Sequence, residues 1–175
     1  MRYQIVAAAS LAVLLLAACS DDRIASPVER APSVRPAASW GPESPPFNLE
    51  AVLRGDGDGG GFGLIRFRQP NDGNRIVHLD VWVRDLAPNS SYRLRRAVDT
   101  QLDGICSSSS WLTLGKGLAP ATIDTDDRGT GRAELFRNLG GVPVGTSFDI
   151  HFQIVDATTG AVVLSSGCYR FTTTQ

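Results

Sequence analysis

The sequence predicts an all-β domain over residues 47–175, a Greek-key β-sandwich or barrel of about eight strands. From Phe47 onward, short segments alternate apolar and polar residues with period two, and clusters of glycine, proline, asparagine and aspartate separate them. No stretch keeps an apolar stripe at helical spacing through three turns.

Leu49, Ala51 and Leu53 alternate with Asn48, Glu50 and Arg54, and the glycine and aspartate run Gly55–Gly61 turns the chain into Phe62–Arg68. That pair reads as a hairpin. In Ile76–Arg84, Val77, Leu79, Val81 and Val83 share one face and His78, Asp80, Trp82 and Arg84 the other, so the first face is expected in the core. Tyr92 and Leu94 alternate with Arg93 and Arg95 in the next strand, after which a long connection rich in aspartate and serine carries Cys106 to Trp111. Further strands are expected near Ala121–Thr125, Gly131–Asn138, Ser147–Asp156 and Ala161–Thr172. In Ser147–Asp156 the stripe Phe148, Ile150, Phe152, Ile154 predicts the core face, with Asp149, His151 and Gln153 outside. Arg93, Arg95 and Arg96 form the one basic cluster, which reads as a solvated edge that deters strand addition in preference to an anion site.

The first 46 residues have a different character. Arg2 precedes an apolar run from Ile5 to Ala18, broken only by Ser10, that ends in Leu16-Ala17-Ala18-Cys19. Fourteen residues make about 21 Å of helix, short of the roughly 30 Å hydrocarbon core, so the run reads as an export signal and not as a permanent span. The tetrad resembles the bacterial lipobox. That resemblance implies removal of residues 1–18, a diacylglycerol thioether on Cys19 and membrane attachment through its acyl chains. Ser20 comes next in place of aspartate, which, by the sorting rule of some Gram-negative lipoproteins that the resemblance carries, implies the outer membrane if the cell is Gram-negative. Residues 19–46, which begin with the lipidated cysteine, hold six of the ten prolines without apolar periodicity. Such composition predicts a disordered linker, averaging about 30 Å as a flexible coil.

With Cys19 assigned to lipid, two cysteines remain in an oxidising compartment, so Cys106 and Cys168 are expected to pair. Without Arg2 the exported chain carries 16 basic residues against 18 acidic ones. That balance supplies no field for recruiting nucleic acid, which is not an expected partner.

Leu86-Ala87-Pro88-Asn89-Ser90-Ser91-Tyr92 resembles the tyrosine corner of fibronectin type III and related sandwiches, in which the tyrosine hydroxyl bonds back to the turn backbone. The order of strand, Leu86-Ala87-Pro88 turn, strand, long loop with a cysteine, the Ile123–Gly131 turn and a second cysteine before the last strand is similar to the copper/zinc superoxide dismutase fold and to chordin-type domains. Where that enzyme family carries a His-x-His pair, however, this chain has Tyr92-Arg93-Leu94, and its histidines are His78 and His151 alone. The family's metal site therefore does not carry over. No cofactor and no transition metal are expected.

Asp124 to Gly129 matches an EF-hand loop at its first, third and sixth positions, but Arg128 falls at a ligand position and Leu135 at the twelfth, where glutamate is required. Asp56 and Asp58 are weak calcium candidates, and tight turns use such residues anyway. Ser107–Ser110 offer hydroxyls without a nucleophile elbow, and Glu50 and Glu134 read as solvated strand residues in preference to a glycosidase pair. The favoured expectation is a lipid-anchored cell-envelope protein with a non-catalytic binding or assembly domain whose loops or Trp82 face meet a protein or glycan. Its rival is a small envelope hydrolase or metal-dependent enzyme with a site assembled from distant residues.

Overall fold

The computed structural model describes residues 47–55 and 60–175. The export signal, Cys19, the linker, Asp56 and Asp58 lie outside the described residues.

The described chain is all-β: β1 (Phe47–Arg54), β2 (Phe62–Gln69), β3 (Ile76–Arg84), β4 (Ser91–Asp99), β5 (Leu112–Thr113), β6 (Gly115–Lys116), β7 (Ala119–Pro120), β8 (Ile123–Asp124), β9 (Gly131–Asn138), β10 (Ser147–Asp156), β11 (Val162–Ser166) and β12 (Tyr169–Thr172). The long strands are those in which period-two alternation is cleanest. Val77, Leu79, Val81 and Val83 are all at most 2% exposed, and the stripe from Phe148 to Ile154 also faces inward. Phe47, Phe67 and Phe171 pack edge to face at one end of the core, with ring centroids 4.8–5.9 Å apart. Each such aromatic contributes roughly 1.5–3 kcal/mol by burial.

These strands form a nearly closed barrel with eight positions. Antiparallel pairing runs β4, β10, β11, β1, β2, β3, β9, and β12 continues the place of β11 beside β10. The connections are Greek key: β3 leads across to β4, β9 returns beside β3, and β10 returns beside β4. Segment 112–124 fills the eighth place. β5 and β8 pair with β4, while β6 pairs in parallel with β9 and the Gly117 amide donates to the Phe136 carbonyl at 3.0 Å.

The turn before β4 is held as its sequence suggests. The Tyr92 hydroxyl accepts from the Ala87 amide at 3.1 Å, and the Thr125 hydroxyl donates to the Ala87 carbonyl at 2.7 Å while accepting from the Ser90 amide at 3.0 Å. These bonds lock the β3–β4 corner to the β8–β9 hairpin.

Several expectations are corrected. The terminal strand is two strands, because the chain leaves the ladder at Gly167 and Cys168. The strand expected over Ala121–Thr125 shrinks to β8. The cluster Arg93, Arg95 and Arg96 is not an edge: β4 has β10 on one side and β5 and β8 on the other. Asp149, placed outside by alternation, is only 1% exposed, and Ala97 is fully buried. Asp149 lies under the connection 100–111 and Arg170, and Ala97 is the cross-strand partner of His151, on which Trp111 of that connection packs; the connection is coil for which no periodic pattern exists.

Candidate functional site

Cys106 and Cys168 form the disulfide, with their Cα atoms 5.4 Å apart. The bridge pins the 100–111 connection to the break between β11 and β12, and side chains pin the rest. Asp149 accepts from the Gly104 amide at 2.7 Å and from Arg170 Nε at 3.0 Å. Asp99 accepts from the Ser107 hydroxyl and the Ser108 amide. Trp111 packs on His151 with ring centroids 4.6 Å apart, and the Arg95 guanidinium lies over Trp111 at 4.9 Å.

This arrangement gathers serine, histidine and aspartate from distant parts of the chain. Its hydrogen bonds are structural. His151 Nε2 lies 3.1 Å from the Ser108 carbonyl oxygen, which can only accept, so in this contact Nε2 is the donor and ties the ring to the 100–111 connection. The Ser108 hydroxyl accepts from the Ser110 amide.

The Arg170 guanidinium bonded to Asp149 holds that carboxyl below the ordinary carboxylate range; burial opposes the shift and the Gly104 amide adds to it. A folded pKa depressed below the unfolded value gives stability that is present above about pH 4 and lost as pH falls through the folded pKa. Asp149→Asn should therefore reduce the loss of urea stability between pH 6 and pH 3. An acid limb as steep as the wild type's would show that Asp149 does not contribute to it.

His78 and His151 are not brought together. His78 lies on the outer face of β3 opposite Arg68 and Phe136, and β11, β1 and β2 separate its strand from that of His151. Among the described residues no three of the histidines, cysteines, aspartates and glutamates are placed to hold a metal ion. Asp124 and Asp126 are committed to their turn: Asp124 accepts from the Ser91 and Thr122 hydroxyls, and Asp126 from the Arg128 and Thr130 amides. Those amide bonds, Thr130 first, lower the Asp126 pKa. Glu50 and Glu134 occupy one cross-strand row with Arg66 and Asp80 between them. Three strand spacings put them roughly 14 Å apart, too far for either glycosidase geometry, which needs at most about 9.5 Å.

The outer face of β1, β2, β3 and β9 is different in kind. Arg54, Phe62 and Arg84 are directly opposite across three strands, and Leu64, Trp82 and Arg132 form the adjacent row. Phe62 and Trp82 meet edge to face at 6.3 Å. The Arg84 guanidinium lies over both rings, 5.0 Å from Phe62 and 5.9 Å from Trp82, and Arg54 lies over Phe62 at 5.6 Å. Such contacts contribute about 0.5–1 kcal/mol each at exposed sites, enough to hold the rings in place. Trp82 remains 40% exposed. Beside it runs an open groove of about 870 Å³ with Arg66 and Arg132 against Asp80 and Asp124. The sequence singled out Trp82 but not its row, because cross-strand neighbours emerge only from register.

No protein-family model, no curated protein and no solved structure matches the chain.

Proposed function

We propose that the chain is a lipid-anchored cell-envelope protein, held at the outer membrane through acyl chains on Cys19, whose β domain is a non-catalytic module that binds an envelope protein through the Trp82 face. The observation that carries this reading is the exposed Trp82, ordered by Phe62 and Arg84 at the rim of an open groove. Tryptophan and arginine are the residues most enriched at binding hot spots, where a rigid aromatic supplies area at little entropic cost. Charges of both signs along the groove supply orientation. A protein is favoured over a glycan because Arg84 already lies over the indole ring, the surface on which a sugar would stack. The lipobox-like tetrad and the proline-rich linker support the anchor and the reach.

A photo-cross-linker at position 66 of the full chain in cells tests both parts. It should yield a discrete protein adduct, lost in Trp82→Ala, while a cross-linker at the exposed Thr158 yields none. Cys19→Ala should abolish fatty-acid labelling and reduce the adduct. Equal adducts from positions 66 and 158 would overturn the binding face, an adduct with polysaccharide alone would replace protein by glycan, and labelling that survives Cys19→Ala would overturn the anchor.

A further inference from the structure

Opposite in character to the Trp82 face is a cavity of about 250 Å³ at the end of the barrel where β3 begins and β4 and β9 finish. Ten of its lining residues are apolar, Phe67, Leu79, Phe148 and Phe171 among them; the other two are Arg96 and Arg137. Neither arginine is there by a slip of register. Tyr92, Leu94, Arg96 and Val98 are successive inward positions of β4, and Ala133, Leu135 and Arg137 those of β9, so each guanidinium extends a core stripe. Among the described residues no carboxylate lines the cavity, and the Arg137 side chain makes one hydrogen bond, from Nη1 to the Gly117 carbonyl at 3.3 Å. The Arg96 side chain has no hydrogen-bond or ion-pair partner among the described residues, unlike its neighbour Arg95, which donates twice to Gln153.

Two half-buried cations facing apolar walls are unfavourable unless something neutralises them. Burial, and then repulsion from Arg137, depress the Arg96 pKa, so the two charges oppose each other as well as their surroundings. A single anion held between them would relieve both, and guanidinium groups match carboxylate geometry in particular.

We propose that the barrel end is a binding site for a small amphiphilic carboxylate, its apolar body among Phe67, Phe148 and Phe171 and its carboxylate between Arg96 and Arg137. Size narrows the class. A cavity of about 150 Å³ accommodates a benzene ring, so this one takes a ring with a short linker or one short acyl chain, and not a diacyl lipid. The site is independent of the Trp82 face and involves no chemistry on the ligand.

Titration of the full chain with 3-phenylpropionate, followed through the arginine Nε–H resonances, tests it. Saturable binding should shift the Arg96 and Arg137 signals and weaken at least tenfold in Arg96→Gln and in Arg137→Gln, with Arg96→Lys intermediate. The neutral 3-phenyl-1-propanol and the bodiless acetate should each bind at least tenfold more weakly than 3-phenylpropionate. Because Arg96→Gln removes an unneutralised charge, the ligand-free variant should melt no lower than the wild type, which separates lost binding from lost fold. No saturation at millimolar 3-phenylpropionate, equal binding of the alcohol, full binding by both glutamine variants, or a lower melting temperature in Arg96→Gln would each overturn the proposal.

Discussion

Replacing both Cys106 and Cys168 by alanine should lower the stability of the domain by about 4 kcal/mol, the chain-entropy value for a crosslink spanning 62 residues. The effect is large because the bridge joins parts of the chain that the barrel holds separately. One end is the 100–111 connection, which has no strand and depends on Asp149, Asp99 and His151 for its other attachments. The other is the break between β11 and β12, where two residues leave the ladder. Losing the bridge should also expose Ala97 and Asp149, so amide exchange should rise in β4 and β10 at the covered positions and remain low on β2 and β3. Urea unfolding of the oxidised wild type, the reduced wild type and the double alanine variant checks this. The second and third should coincide and fall well below the first, and three coincident curves would remove the disulfide from any role in stability.

The barrel was legible wherever a strand has one face in the core. Ser147–Asp156 and Gly131–Asn138 fold over the same residues that alternation marks, because a period-two stripe has one way to bury itself. What lies over the outside of the sheet was not legible. Asp149 and His151 are covered by the 100–111 connection, with Trp111 on the His151 ring, and by Arg170; the connection is coil held by a disulfide and by hydrogen bonds to its backbone, and nothing periodic announces it. Segment 112–124 fills the eighth place of the nearly closed barrel in two-residue pieces too short to show a period. Arg96 is a different case, since a strict reading of Tyr92, Leu94 and the next alternate position puts it inside. Its charge and its neighbours Arg93 and Arg95 outweighed its phase, yet phase decides where a strand residue points. The Trp82 row needed register, which a single strand does not carry.

The second large effect is expected at Gly129, in the turn between β8 and β9. Its φ is +73°, a left-handed conformation that costs other residues about 1 kcal/mol or more. Space is the greater restriction, because a Cβ there would drive into the backbone carbonyl of Leu86, which cannot rotate away as a side chain would. The same glycine accepts a hydrogen bond from the Leu86 amide at 3.2 Å, and the neighbouring Asp126 carbonyl accepts from the Asn89 amide at 3.0 Å. These two bonds, together with Thr125 and the Tyr92 hydroxyl, hold the β3–β4 corner against the β8–β9 hairpin. Gly129→Ala must therefore either separate the two turns or distort them, and should cost about 3 kcal/mol or more through strain and overpacking. Gly73 makes the matched control: its φ is +77° and a Cβ there would meet nothing within 4 Å, so Gly73→Ala should cost only the conformational share, about 1 kcal/mol. Because Asp124, Thr125, Asp126 and Thr130 line the groove beside Trp82, Gly129→Ala should also reduce cross-linking from position 66, whereas Gly73→Ala should not. Equal loss of stability in the two variants would mean that only backbone conformation matters at Gly129, and that the close approach to Leu86 does not hold the corner.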